Sequence, residues 1–343
     1  MNIKQASGIQ IIGTQRSGSN LLRVILDQSP DIASPHPPHI LTTFVPLLPL
    51  YGSLNAQSYR NLISNVVDFV NANPVPWEGV LLDKDTLFTQ SETFSLFELN
   101  KLIYLQAAII KNAKYWCCKS MGNVYYAEDL EKVEPNLKYI YLYRDGRDVA
   151  ASFKKAIVGE KHIYFLAKQW HEDQEACLTL MENIEKDNLF ALNYETLITD
   201  PEDTVKQLCD FLEISYTNEM LQFYTSNTSK ITAAAGAMWS NLEKPIMSNN
   251  TKKFINEFND TDLQIFELVA GETLERLGYP LLTKRQNNEL ISTHAIEQYD
   301  QENKVMKKDI LLKTDRKDLE KREPQSIILK MLKEKLNTYD ITS

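Results

Sequence analysis

The richest chemical signal in the sequence is a short loop near its start, where glycine, arginine and hydroxyl side chains are crowded together. Residues 13–20 read Gly-Thr-Gln-Arg-Ser-Gly-Ser-Asn and join an apolar run, residues 8–13, to an amphipathic stretch, residues 19–28. This pattern predicts a strand, a loop and a helix. Glycines allow main-chain N–H groups to close around an anion, and the helix N-terminus adds the positive end of its dipole. The loop therefore predicts a phosphate site, with a plain connecting turn as the alternative.

This loop differs from the phosphate-binding loop of magnesium-dependent nucleotide kinases in the position of its positively charged residue. A Walker A loop has lysine directly after its second glycine and then serine or threonine, which holds Mg²⁺. Here Ser19 and Asn20 follow Gly18, and the cation is Arg16, inside the loop. Arg16 can lie along a phosphate without a metal ion, so the sequence predicts no metal site.

A second cluster of charge follows residues 138–143, an apolar and aromatic run that predicts another strand. It reads Arg-Asp-Gly-Arg-Asp at residues 144–148, with Ser152 a short distance further on. At the carboxyl edge of a parallel strand, arginine and a hydroxyl group offer a bidentate cation and a hydrogen-bond donor to one anionic group. The cluster therefore predicts a second phosphate site. The alternative is a surface cluster of salt bridges among Arg144, Asp145, Arg147 and Asp148.

The remaining pattern predicts the elements that would bring these two clusters together. Residues 114–119 and 188–193 are further short runs typical of strands, and helical spacing lies between them at residues 124–133 and about 160–185. This alternation predicts an α/β fold with a parallel sheet. Asp200-Pro201 predicts the start of another helix, and a helix at residues 262–277 would end at Gly278.

Taken together, the two clusters resemble the nucleotide-binding signatures of the sulfotransferases that use 3′-phosphoadenosine 5′-phosphosulfate (PAPS), in particular those of the bacterial type. The resemblance extends to Tyr194-Glu195-Thr196-Leu197 with Asp200-Pro201 and covers about residues 8–282. It implies a P-loop-like three-layer fold, with a central parallel sheet flanked by helices. It also implies an enzyme that moves a sulfuryl group from PAPS to a hydroxyl or amine acceptor and releases 3′,5′-bisphosphoadenosine.

The resemblance assigns binding roles to individual positions of this sequence. The 5′-phosphosulfate would be held by Arg16, Ser17, Gly18, Ser19 and Asn20. The 3′-phosphate would be bound by Arg144 and Ser152, and the adenine would meet Tyr194. Lys252 and Lys253 fall where the family has a late basic contact to the 3′-phosphate.

Lys119 is the first catalytic candidate, and Arg16 joins it through its place at the phosphosulfate. Lys119-Ser120-Met121 is similar to the Lys-Thr-Pro that ends the corresponding strand in bacterial-type sulfotransferases. A lysine there could neutralise the charge that grows on the bridging oxygen as the sulfur–oxygen bond breaks.

His36 and His39 are the candidates for the general base. They lie just after the first predicted helix, near the place where related enzymes often carry a catalytic glutamate. Histidine ionises close to neutral pH, so it can accept the acceptor's proton as a carboxylate would. Turnover should then rise through roughly pH 6 to 7, unless burial moves the ionisation. The alternative is that both rings are packing residues of a proline-rich turn.

The apolar side chains of residues 40–50 could line an acceptor pocket or lid, or simply belong to the core.

Composition narrows the class of protein and its compartment. The net charge is −9, from 37 Lys+Arg and 46 Asp+Glu, which disfavours a nucleic-acid binder. Residues 40–51 form the longest apolar stretch, and this is too short and too rich in proline to span a membrane. The cysteines at positions 117, 118, 177 and 209 show no disulfide spacing, and the N-terminus does not look like a signal peptide, so we expect a reducing cytoplasm. Cys117 and Cys118 would point to opposite faces of a strand, as core residues.

Composition also divides the chain into a sulfotransferase domain, residues 1–283, and a charged helical tail of unknown role, residues 284–343. The tail holds 13 Lys+Arg and 11 Asp+Glu and carries apolar residues at helical spacing. It is either a solvated or self-packing extension or a partner-docking element, through which the chain could form a homo-oligomer. The sequence does not show whether the acceptor is a small molecule or carrier-bound. Two other functions stay open: a P-loop nucleotide kinase and a catalytically inactive nucleotide-binding regulatory protein.

Overall fold

A parallel sheet organises the structure, a computed structural model that describes residues 6–284 and 291–342, with side chains to residue 335. The strands are β1 (Ser7–Ile12), β2 (Ile32–Ala33), β3 (Tyr115–Cys118), β4 (Lys138–Tyr143) and β5 (Leu189–Asn193). They lie in the order β2-β3-β1-β4-β5, and every neighbouring pair is parallel. The central strand β1 pairs with both β3 and β4, so Ile9 lies opposite Cys117 on one side and Lys138 on the other.

Helices flank this sheet. The α-helices are α1 (Ser19–Asp27), α2 (Ile40–Phe44), α3 (Ala56–Asn71), α4 (Lys84–Gln90), α5 (Leu96–Lys111), α6 (Ala127–Val133), α7 (Gly146–Lys155), α8 (Ile163–Asn183), α9 (Tyr194–Thr199), α10 (Pro201–Phe211), α11 (Asn227–Ala234), α12 (Phe254–Glu257), α13 (Asp260–Arg276), α14 (Thr293–Lys313) and α15 (Arg316–Thr342). Short 3-10 helices span Val45–Tyr51, Met121–Tyr126, Lys186–Asn188, Asn218–Thr225 and Ala237–Glu243. In the described ranges, no helix combines the length and the apolar composition that crossing a membrane requires.

Alternation along the strands builds two apolar layers, one on each face of the sheet. In β4, Tyr139 enters one buried cluster, whereas its neighbour Ile140 enters the other. The same alternation separates Cys117 from Cys118: both are fully buried and free, and they belong to opposite clusters. The prediction that they are core residues is therefore confirmed, as is the three-layer fold with a parallel sheet.

The predicted elements differ from the observed ones mainly at their ends. The helix expected at residues 160–185 begins at Ile163, because the His162 ring accepts a hydrogen bond from the Tyr164 N–H at 3.2 Å and caps it. The helix expected from residue 124 starts as a 3-10 turn, where Asn123 is held to Gln10 of β1 by a 3.0 Å hydrogen bond. The two-residue edge strand β2 was not predicted.

The C-terminal helices α14 and α15 pack against the rest of the chain. The buried Asn303 of α14 accepts hydrogen bonds from the N–H groups of Lys161 and His162, at 2.7 and 3.0 Å. On α15, Leu332 is only 4% exposed and joins one of the two sheet-facing clusters. These contacts favour the self-packing interpretation of residues 284–343. The division at residue 283 and a homo-oligomer formed through the tail stay predictions.

Candidate active site

A cavity of about 1030 Å³ lies at the carboxyl edge of the sheet. Because the strands are parallel, the segments that follow them all open at this edge. Arg16 follows β1, Lys119 follows β3, Arg144 follows β4 and Tyr194 follows β5, and all four line the cavity. Residues far apart in the sequence, and predicted from separate motifs, are thus brought to one place.

The loop after β1 is shaped around Tyr194. Gly18 has φ +89°, and a Cβ there would lie 2.3 Å from the Tyr194 ring, so only glycine fits without a displacement. Arg16 is itself in the left-handed region, with φ 72°, and its Nε donates a 3.0 Å hydrogen bond to Ser152 Oγ. Burial, and then the nearby charge of Arg144, lower the pKa of Arg16 to about 10. The contact between Arg16 and Ser152 joins the two predicted phosphate sites.

The other residues predicted from this loop occupy different environments. Ser19 and Asn20 line the cavity together with Gly18, at the first turn of α1. Ser17 is fully buried and does not line the cavity, and its Oγ has no hydrogen-bond partner in the described part of the chain. The predicted contact of Ser17 with the phosphosulfate stays a prediction.

Arg144 is held by Tyr194 and by the segment around Asn250. Its guanidinium carbon lies 4.3 Å from the centre of the Tyr194 ring, and its Nη2 donates to the Asn250 carbonyl at 2.8 Å. Asn250 in turn donates to the Tyr194 hydroxyl at 2.6 Å. Arg144 Nε is buried and has no hydrogen-bond partner among the residues that the structure describes. The side chain is therefore fixed against the cavity with hydrogen-bonding capacity left over.

The charged cluster at residues 144–148 forms ion pairs and also contributes Arg144 and Asp148 to the cavity wall. Arg147 points away from the cavity into buried ion pairs with Asp145 and Glu267, at 2.8 and 2.7 Å. Asp148 accepts hydrogen bonds from the N–H groups of Lys252 and Phe254. Arg144 also forms an ion pair, with Asp148 at 3.4 Å, and it lines the cavity. The predicted salt bridges are therefore present, but they are buried and do not form a surface cluster.

The two late lysines are separated by the structure. Lys253 lines the cavity, with an exposed side chain. Lys252 does not line it; its φ of 56° turns the chain, and its N–H binds Asp148 at 2.7 Å. Of the pair, Lys253 alone is positioned to reach a ligand in the cavity.

Lys119 is buried among other cations. It is 5% exposed, and burial, followed by the charges of Arg23 and Arg16, lowers its pKa to about 7. Lys119 therefore loses its proton at a much lower pH than an ordinary lysine does. An anion bound in the cavity would favour the charged form.

Both predicted histidines line the same cavity. His36 is 7% exposed, and within the described ranges neither ring nitrogen has a hydrogen-bond partner. Its ring forms a T-shaped contact with Trp239, with centroids 4.9 Å apart. Burial lowers the pKa of His36 well below its ordinary value, and burial together with Lys119 lowers that of His39 to about 3. Both rings are therefore neutral near pH 7. Burial thus moves both ionisations below pH 6 to 7 in the free protein, which is the exception that the sequence-based expectation allowed for.

Sequence reasoning missed several residues of the cavity and its surroundings. Arg23, completely buried behind the first loop, donates to Thr232 Oγ1 at 2.8 Å and to the Ser34 carbonyl at 3.0 Å. Trp239 and Arg322 reach the cavity from segments that carry no recognisable motif. Only tertiary packing brings them there, so no local signal could have identified them.

The apolar stretch after the histidines belongs mainly to the core. Ile40, Leu41 and Phe44 are fully or almost fully buried in an apolar cluster, and only Thr42 from residues 40–50 lines the cavity. The idea that this stretch forms the acceptor pocket is not supported by its packing.

Over the described part of the chain, His, Cys, Asp and Glu side chains form no group of three that could hold a metal ion. The expectation of a metal-free reaction stays a prediction.

The sheet order, the loop after β1 and the cation-lined cavity define a P-loop-like α/β protein. A model of the sulfotransferase family matches residues 8–218, which is more than half of the chain. The chain therefore belongs to the sulfotransferase family.

Similar proteins agree with this assignment. Protein-tyrosine sulfotransferase 1 of Danio rerio is 24% identical over 287 residues, which cover 79% of this chain and 72% of that protein. An uncharacterised protein of Aquifex aeolicus is 24% identical over 234 residues, but this chain spans only 28% of its length. Among solved structures, the sulfotransferase domain from the curacin biosynthetic pathway has a TM-score of 0.54 at 22% identity, over 80% of this chain and 99% of that one. The sulfotransferase domain of the Synechococcus PCC 7002 olefin synthase also has a TM-score of 0.54, at 20% identity, over 81% of this chain and 96% of that one. These structures share the fold.

Proposed function

We propose that this sulfotransferase takes its sulfuryl group from PAPS and transfers it to a hydroxyl or amine acceptor. The observation that carries the proposal is that Arg16, Lys119 and Arg144 line one cavity with His36 and His39. Cations for two anionic groups and candidate bases for one proton are thus present in a single space.

The donor would be held by the two joined phosphate sites. The N–H groups of the loop after β1, together with Arg16, would bind the 5′-phosphosulfate at the first turn of α1. Arg144, Ser152 and Lys253 would bind the 3′-phosphate, with Tyr194 at the adenine. Because Arg16 already donates to Ser152 Oγ at 3.0 Å, the two anionic groups would be held as one unit.

The transfer itself needs one base and one cation. The acceptor oxygen forms a bond to sulfur, the bond from sulfur to the bridging oxygen of the phosphate breaks, and that oxygen leaves as part of 3′,5′-bisphosphoadenosine. The proton of the acceptor moves to His36 or His39, each neutral in the free protein and each near enough to Lys119 for its charge to lower their pKa values. Lys119 would offset the charge on the leaving oxygen. The bound donor's negative charge would raise the pKa values of both rings, which makes them stronger bases when needed.

The test is transfer of label from PAPS labelled with ³⁵S to a panel of alcohols, phenols and amines, with Arg144→Gln as the variant and Arg316→Gln as the control. Arg316 is exposed on α15 and does not line the cavity. Labelled product with the wild-type protein and the control, and a large loss with Arg144→Gln, is the expected result. Binding of 3′,5′-bisphosphoadenosine without any transfer would favour the inactive regulatory alternative, and transfer from ATP with Mg²⁺ would favour the kinase.

The same proposal includes the chain's organisation and compartment. Residues 1–283 would form the sulfotransferase domain, with residues 284–343 as an extension. The four free cysteines are buried, which suits a reducing cytoplasm.

A further inference from the structure

The wall of the cavity that faces the candidate bases contains a cation that neither the donor sites nor the transfer step uses. This is Arg322 of α15, in the tail that follows the residues matched by the sulfotransferase family. Its guanidinium carbon lies 5.2 Å from the centre of the Trp239 ring. Trp239 also contacts His36, so one indole ring touches both Arg322 and the candidate base.

The guanidinium group of Arg322 is left with few partners. Among the described residues, its buried Nε has no hydrogen-bond acceptor, and its Nη2 contacts the sulfur of Met238 at 3.4 Å, a weak acceptor. Asp318, one turn earlier on α15, is near enough for its charge to favour the guanidinium cation, but no carboxylate of the described residues forms a direct ion pair with it. The Asp318 carboxylate accepts a hydrogen bond from the Ala237 N–H at 3.0 Å. A half-buried cation in this state is stabilised by any anion that enters the cavity.

Contacts on both sides of Arg322 hold it in this place. Asp318 fixes the preceding turn of α15 to Ala237, and Lys321 donates to the Ala234 carbonyl. Gln325 donates to the Phe69 carbonyl at 3.2 Å, and Leu332 is buried in the core further along. These contacts therefore hold α15 in a defined position as part of the cavity wall.

We propose that Arg322 is a specificity-determining residue that binds an anionic group of the acceptor, a carboxylate or a phosphate monoester, while the acceptor's hydroxyl faces His36 or His39. The inference rests on the proposed function for the identity of the acceptor. The ring of His36 and the guanidinium carbon of Arg322 lie 4.9 and 5.2 Å from the Trp239 ring, so they are at most about 10 Å apart. The acceptor's anionic group and hydroxyl should fit within that span.

The test compares acceptors that differ only in charge. The probes are 6-hydroxyhexanoate, 6-hydroxyhexyl phosphate and the neutral methyl ester of 6-hydroxyhexanoate, and the proteins are the wild type, Arg322→Gln, Arg322→Lys and the control Arg316→Gln. Calorimetry measures binding of each probe with and without 3′,5′-bisphosphoadenosine, and a ³⁵S assay measures transfer. Loss of one charge-assisted contact should weaken binding of an anionic probe about 10- to 150-fold in Arg322→Gln. Arg322→Lys should keep part of the affinity, and the ester should change little with any variant.

The two hypotheses fail in different ways. If anionic probes bind better than the ester, and this preference depends on Arg322, the inference holds even when no label is transferred; the proposed function alone would then be wrong. Equal binding of the acids and the ester to the wild type, or absence of binding by all three probes, overturns the inference. An equal loss of affinity for the anionic probes in Arg322→Gln and Arg316→Gln also overturns the inference. The ratio of carboxylate to phosphate affinity identifies which anion the site prefers, and a normal melting temperature for Arg322→Lys separates binding from folding.

Discussion

Replacing Gly18 with alanine tests how the first loop is built. At φ +89° an alanine costs about 1 to 2 kcal/mol in backbone strain. Its Cβ would also lie 2.3 Å from a ring carbon of Tyr194, and forcing such an overlap adds about 1 to 3 kcal/mol. A displacement of the ring would disturb its contact with Arg144, whose guanidinium carbon lies 4.3 Å from the ring centre. Losing that contact, worth about 0.5 to 2 kcal/mol, should weaken binding of 3′,5′-bisphosphoadenosine about 2- to 30-fold.

Gly278 provides the matched control. Its φ of +84° is nearly the same, yet a Cβ there would have no neighbour within 4 Å. Gly278→Ala should therefore cost only the backbone strain, about 1 to 2 kcal/mol, and leave ligand affinity unchanged. Urea unfolding gives the loss of stability and calorimetry the affinity. If the two variants lose the same stability, or if Gly18→Ala binds the nucleotide as the wild type does, the proposed dependence of the site on this contact is refuted.

Three further predictions concern the transfer step. Arg16→Ala should weaken binding of 3′,5′-bisphosphoadenosine about 10- to 150-fold, as measured by calorimetry. Lys119→Ala should mainly lower kcat, by about 10²- to 10³-fold. If Lys119→Ala changed only the affinity for the nucleotide, the role proposed for Lys119 in the transfer step would be contradicted. Since the Lys119 pKa is about 7 and its charge is present below that pKa, kcat/KM for PAPS should fall as pH rises through about 7, and this fall should vanish in Lys119→Arg. His36→Ala or His39→Ala should lower kcat by about 10²- to 10⁴-fold with nucleotide affinity intact; full turnover in both variants would place the base elsewhere.

The sheet could be predicted because its strands are buried runs bounded by polar motifs. The run at residues 138–143 predicted β4 with its observed ends, since aromatic and apolar residues fill both faces of a central strand. The two residues of β2 are too few to show any period, and they pair only because β3 lies beside them. Local patterns therefore identify strands whose own residues supply the burial.

The residues of the candidate site also differ in whether local patterns in the sequence could identify them. Arg16 and Arg144 could be identified because each follows a strand, and parallel strands bring such positions to one edge. The ionisation of the histidines could not be predicted, because it depends on burial and on cations from other parts of the chain. Arg322 belongs to a charged helix, and the local sequence does not distinguish it from the other charged residues there. It becomes a candidate site residue only because α15 passes the cavity and brings Arg322 against Trp239.

The central place of β1 has a consequence for how the protein acquires its shape. β1 begins at residue 7, but its partners lie at residues 115–118 and 138–143, so the strand that carries the first loop can pair only with segments far along the chain. The contact of Arg16 with Ser152 joins residues separated by 136 positions, and that of Arg23 with Thr232 by 209. Such long-range pairing makes folding slow, because chain entropy is lost before the contacts repay it. We therefore expect the cavity to be assembled late in folding, because its walls come from distant parts of the chain.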